Sequence, residues 1–106
     1  MANGERRGGR RVDVDFFAVE VAGTNRYYRL VRNISAEGLF FEVPPGWEAS
    51  PPGGAVVLEL EPEVAGEIAR VEGKIIHADE HGVGLRLIHL TPAARTWLRR
   101  LTEGNA

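Results

Sequence analysis

Four arginines stand within six positions of this 106-residue sequence, in the run Glu5-Arg6-Arg7-Gly8-Gly9-Arg10-Arg11. Arginine stays charged, offers a planar fork of donors to phosphate oxygens, and stacks its flat face on bases. The same fork fits the O6 and N7 edge of guanine, so one residue type serves both halves of a guanine nucleotide. Such a run also reads as a solvated tail. It leads directly into apolar alternation at Val12, however, which anchors its far end, and Gly8-Gly9 lets the backbone bend so that two guanidinium groups converge. A second group, Asn33-Ile34-Ser35-Ala36-Glu37-Gly38, joins short polar side chains to a glycine. In one reading it is a plain turn, with Asn33 and Ser35 bonded to nearby backbone and Gly38 left-handed. In the other, the Asn33 amide and Ser35 hydroxyl present donors and acceptors to a ligand while Gly38 keeps the turn tight.

The segments around these groups read as strands. Val12, Val14 and Phe16 alternate with Asp13 and Asp15, and Phe17, Val19 and Val21 continue in the opposite phase. That pattern predicts one long strand with a bulge or bend near Phe16-Phe17. Ala22-Gly23-Thr24-Asn25 has turn composition, and Arg26 to Arg32 supplies the return strand of a hairpin. Leu39 to Val43 is a third strand, and the proline- and glycine-rich stretch from Pro44 to Gly54 is a loop carrying Trp47. Ala55 to Leu60, Glu67 to Ala78 and Val83 to Ile88 complete six strands, with Ile68, Val71, Ile75 and Ile76 as bulk and a bend or bulge at Gly73. Six short strands predict a closed or nearly closed antiparallel β-barrel. The period then changes. Thr91 suits a helix N-cap and Pro92 the first helical position, and Ala94, Trp97, Leu98 and Leu101 recur at helical spacing. One amphipathic helix is expected over 92–103. The organisation is thus a flexible arginine-rich arm, 1–11, and a single barrel domain, 12–104.

Composition limits the function. The chain holds 13 basic and 15 acidic side chains, for a net charge of −2. Residues 1–11 contribute four arginines against one glutamate, and the other 95 residues hold nine basic against fourteen acidic, a balance of −5. An acidic body repels long nucleic acid, whose binding scales with the phosphates neutralised. No run of eighteen apolar residues exists and no apolar N-terminal stretch, so neither membrane insertion nor secretion is expected, and the location expected is cytoplasmic. The absence of cysteine excludes disulfides, thiol catalysis and cysteine-ligated zinc. His77, His81 and His89 fall short of a convincing metal set, and no nucleophile, base and orienter share a recognisable spacing. No cofactor, no metal and no enzymatic activity are expected. Asp13 and Asp15 read as a solvated strand face or as partners for the arginines.

Taken together, Arg7-Gly8-Gly9-Arg10-Arg11 and Asn33-Ile34-Ser35-Ala36-Glu37-Gly38 resemble the two motifs of the PilZ family: an Arg-x-x-x-Arg stretch at the domain's start, and an Asp/Asn-x-Ser-x-x-Gly turn after the second barrel strand. The alternative register Arg6 to Arg10 has the same spacing; Arg7 to Arg11 is preferred because Arg11 immediately precedes the first strand. Gly82-Val83-Gly84-Leu85-Arg86-Leu87, then Leu90-Thr91-Pro92 and the helix, look like the family's last strand and C-terminal helix. The resemblance implies a mainly β fold, a six-stranded PilZ-like barrel, and binding of the bacterial second messenger cyclic di-GMP. It implies that Arg7 and Arg11 hold guanine and phosphate, and that Asn33, Ser35 and the backbone near Gly38 hold the other guanine. Arg6 would engage a second ligand molecule of a stacked pair. The expected output is a single-domain receptor and adaptor acting on an effector protein. The alternative is a PilZ-like interaction module that binds no nucleotide.

Overall fold

Alternating apolar and polar residues from Val12 onward form β1 (Val12–Ala22), which returns through a tight turn as β2 (Asn25–Ile34). Gly23 takes φ of 63° at the first central position of that turn, the left-handed geometry a two-residue hairpin loop requires. The remaining strands are β3 (Gly38–Glu42), β4 (Ala55–Leu60), β5 (Ala69–Ala78) and β6 (Gly82–Leu90), followed by α1 (Pro92–Glu103). The structure, a computed structural model, describes residues 11–46, 53–61 and 67–103. Trp47 and the arginines before Arg11 lie outside them.

All six strands join in one closed antiparallel barrel in the order β1-β2-β3-β6-β5-β4. Closure gives every strand a hydrogen-bonded neighbour on both sides, which removes the open sheet edge through which chains pair. Phe41, Ile34, Leu58, Leu85, Val31, Val71 and Val83 are the large side chains fully enclosed within it. Thr91 caps the helix as expected: its hydroxyl accepts from the Ala94 N–H at 3.3 Å, and its carbonyl accepts the first helical bond from Arg95. The apolar stripe of α1 buries Ala94, Trp97 and Leu98, and Trp97 meets Phe16 of β1 edge-on, with ring centroids 5.4 Å apart.

Three details differ from the sequence pattern. The register shift in β1 falls between Asp13 and Phe16, just ahead of the predicted position. The strand also keeps a single inward phase through Phe16 to Ala18, because the small Ala18 is the residue enclosed between β2 and β4, while Phe17 turns out against Tyr28. Finally, Ile68 and Ile76 are exposed at 72% and 61% and supply no core; in β5 the enclosed apolar residues are Ala69, Val71 and Ile75. The irregularity predicted at Gly73 is present, as a register shift between Glu72 and Gly73.

A charged pair is enclosed with the apolar core. The Arg29 Nε–H donates to Glu20 Oε1 at 2.8 Å, with the arginine side chain 4% exposed. Its guanidinium also lies over the Tyr27 ring, 5.0 Å from the centroid.

Candidate functional site

Pairing of β1 with β2 decides which residues meet. Val12 lies opposite Ile34 and Asp13 opposite Asn33, so the ladder delivers Arg11 to the level of Ser35. Two local irregularities then re-aim side chains. Strict alternation from the enclosed Val31 would turn Asn33 inward and Ile34 outward. An extra residue, Arg32, between the Val31–Phe41 and Asn33–Phe40 pairs reverses this, and Ile34 enters the core while Asn33 stays at the surface. In β5, Ile76 is an extra residue between the Ile75–Leu85 and His77–Gly84 pairs, which leaves Ile76 and His77 both exposed.

Between these two irregularities a groove of about 350 Å³ opens on the outside of the barrel, within the size range of small-molecule sites. Arg11, Asn33, Ser35, Glu37 and Gly38 line it from the β1 start and the turn, and Phe40, Ile76, His77, Gly84 and Arg86 from the strands beyond. Of the residues singled out in the sequence, Arg11, Asn33, Ser35 and Gly38 are therefore gathered in one place. Arg6 and Arg7 lie outside the described residues, so their positions are not among these. The sequence reading named Ile76 as strand bulk, His77 as a metal candidate and Arg86 in the last strand but assigned none of them to a groove, because nothing local distinguishes a groove-lining strand residue from any outward one.

The turn is tightly built. Ser35, only 5% exposed, accepts from the Glu37 N–H at 3.3 Å and the Gly38 N–H at 3.2 Å through its hydroxyl, and its own N–H donates to the Gly38 carbonyl at 2.8 Å. The Ser35 Oγ lies 3.5 Å from the Gly38 carbonyl oxygen, the outer limit for a hydrogen bond. The Glu37 carbonyl accepts from the Leu87 N–H at 2.8 Å, tying the turn to β6. Gly38 is not left-handed; the positive-φ glycines among the described residues are Gly23, Gly46 and Gly53. Glycine is needed at 38 because a Cβ there would stand 2.6 Å from the Leu85 carbonyl oxygen. The structure thus bears out a tight turn and replaces its cause, close strand approach in place of backbone handedness. Asn33 makes no side-chain hydrogen bond to a described residue, so its amide is available at the groove.

Charge in the groove is mixed. Arg11 and Arg86 bring cations and form no ion pair with a described residue, while Glu37 brings one carboxylate. His77 Nε2 lies 3.0 Å from Asp79 Oδ2, which orients the ring. Hydrogen bonds from the His81 N–H, the His77 ring and the Gly82 N–H hold the Asp79 carboxyl below the usual carboxylate range. Asp13 and Asp15 are exposed and pair with no described residue, in keeping with a solvated face. No group of three or more potential metal ligands converges among the described residues, and no described helix is long and apolar enough to cross a membrane.

A small closed β-barrel with a C-terminal helix and an outer, cation-bearing groove is the class of domain defined here. The family model of the PilZ domain matches residues 5–104, and the chain belongs to the PilZ domain family, a family of cyclic di-GMP receptor modules that are not enzymes. Among solved structures, it is similar to the Bacillus subtilis inhibitor of motility, MotI/DgrA, with a TM-score of 0.60 at 18% identity. That likeness covers 90% of this chain and 51% of the other, so the chain spans about half the length of that protein. No curated protein matches the sequence significantly.

Proposed function

We propose that the chain binds cyclic di-GMP in the groove between Arg11 and the Asn33–Gly38 turn, acting as a receptor that signals to an effector protein in the bacterial cytoplasm. The observation that supports this most directly is the convergence of Arg11, Asn33, Ser35 and Gly38 on one groove of about 350 Å³. In this reading Arg7 and Arg11 hold guanine and phosphate groups, and the Asn33 amide with the backbone near Gly38 holds the second guanine edge. Ser35 contributes chiefly by fixing the turn, since two amide protons already occupy its oxygen. Arg6 recruits a second ligand molecule, stacked on the first.

Ligand binding folds the arm across the barrel and creates or hides the surface an effector reads. That coupling requires the effector to bind the two arm arrangements unequally. Isothermal titration with cyclic di-GMP tests the reading. Two ligands per chain support the stacked pair, and one ligand supports the site without it. Absence of binding at micromolar ligand favours the interaction module instead.

A further inference from the structure

The helix concentrates positive charge on an otherwise acidic barrel. Residues 12–91 hold six basic against thirteen acidic side chains, a balance of −7, whereas Pro92–Glu103 holds Arg95, Arg99 and Arg100 against Glu103 alone, a balance of +2. Arginines in a last helical turn complement the helix dipole, which accounts for Arg99 and Arg100. Arg95 has no such account: it follows a first turn without any acidic residue, near the end where the dipole disfavours a cation. None of the three forms an ion pair with a described residue.

Arg95 and Arg99, one helical turn apart and both exposed, rim a second cleft of about 220 Å³ between α1 and the barrel. Leu90, Leu98 and Ala36 give it an apolar floor and wall, Glu103 adds one carboxylate, which leaves the rim net positive against the two arginines, and the Thr102 hydroxyl is already spent on the Leu98 carbonyl at 2.9 Å. The cleft is smaller than the range typical of whole small-molecule ligands, and suits one or two side chains. Two forked cations at its rim match carboxylates flanking an apolar side chain.

We infer that this cleft is a docking site for an acidic-hydrophobic segment of a partner protein, with an apolar side chain over Leu90 and Leu98 and carboxylates on Arg95 and Arg99. Charge complementarity selects the occupant, because a basic or neutral segment leaves two guanidinium groups unpaired at the contact. The site stands apart from the nucleotide groove, although one turn separates them: Ala36 borders this cleft, while Ser35, Glu37 and Gly38 border the other. Its test therefore needs no nucleotide.

Fluorescence anisotropy of the full chain, titrated into a fluorescein-labelled hexapeptide alternating glutamate and leucine, reads the interaction. Saturable binding is expected, weakened about tenfold by Arg95→Glu or Arg99→Glu and by no more than about twofold by Arg100→Glu, which changes the same charge outside the cleft. Circular dichroism and thermal melts establish folding, and Arg95→Gln and Arg99→Gln show the same order of effects should charge reversal unfold the chain. Lack of binding overturns the proposal. So does an equal loss from Arg100→Glu, which signals long-range attraction alone, or equally tight binding of a glutamine–leucine peptide, which signals apolar adhesion.

Discussion

Val12 pairs with Ile34 in the antiparallel ladder of β1 and β2, and that single pairing sets Arg11 beside Ser35. Two groups that the chain separates by more than twenty residues become one wall of a groove through ordinary strand pairing. Arg11 needs no dedicated scaffold, because the ladder that fixes the barrel also fixes where Arg11 stands.

Arg11→Ala is expected to weaken cyclic di-GMP binding by about 10- to 100-fold, the loss of one charge-assisted contact of about 1.5–3 kcal/mol. Arg7→Ala should act in the same range. Both variants should melt like the parent, since Arg11 is exposed and pairs with no described residue. Calorimetric titration beside a thermal melt checks both halves, and undiminished affinity in the double variant would show the site to lie elsewhere.

Gly38→Ala should damage the fold as well as the groove. The added Cβ would meet the Leu85 carbonyl oxygen at 2.6 Å, forcing β3 and β6 apart. A cost of about 2 kcal/mol, or roughly 10 °C in Tm, is expected by analogy with overpacked cores. Ser35→Ala deprives two amides of their acceptor and should cost about 1–2 kcal/mol while weakening ligand binding less than Arg11→Ala does. Urea titration gives the stabilities and calorimetry the affinities.

Much of this was legible in the sequence, for identifiable reasons. Strand alternation, the hairpin turn at Gly23 and the Thr91-Pro92 helix start are local signals, read from neighbouring residues alone. The outward placement of Asn33 and His77 was not legible, because each depends on one extra residue relative to a partner strand, Arg32 in β2 and Ile76 in β5. Gly38 was given the wrong cause for the same reason: its constraint comes from Leu85, far along the chain. The pairing of Glu20 with Arg29 is likewise invisible locally, because it depends on how β1 and β2 meet.

That enclosed pair predicts an asymmetry. Glu20→Ala removes the carboxylate that accepts from the Nε–H of the 4%-exposed Arg29 side chain and should cost about 1.5–3 kcal/mol, the loss of one charge-assisted hydrogen bond. Replacing both residues with leucine should recover much of the loss, since a well-packed apolar pair avoids the desolvation of two charges. Chemical denaturation of the single and double variants checks this, and a double variant as weak as Glu20→Ala would mean that Arg29 contributes through Tyr27 and its other contacts instead.

A second acidic group sets a pH response on the outer face. Glu59 accepts from Arg70 at 2.8 Å and from Arg26 at 2.9 Å, and these hydrogen bonds, Arg70 first, hold its carboxyl below the usual range. The folded form therefore binds its proton less readily than the unfolded chain does. Stability from this cluster is fully present above the unfolded carboxylate pKa of about 4.3 and fades as pH falls through the lower folded value. Glu59→Gln should accordingly lower Tm at pH 7, and the gap between variant and parent should narrow steadily from about pH 5 downward. Thermal melts across pH 7 to 3 read the difference directly. A gap that stayed constant would show that Arg26 and Arg70 stabilise the sheet through packing along Glu59 and not through its charge.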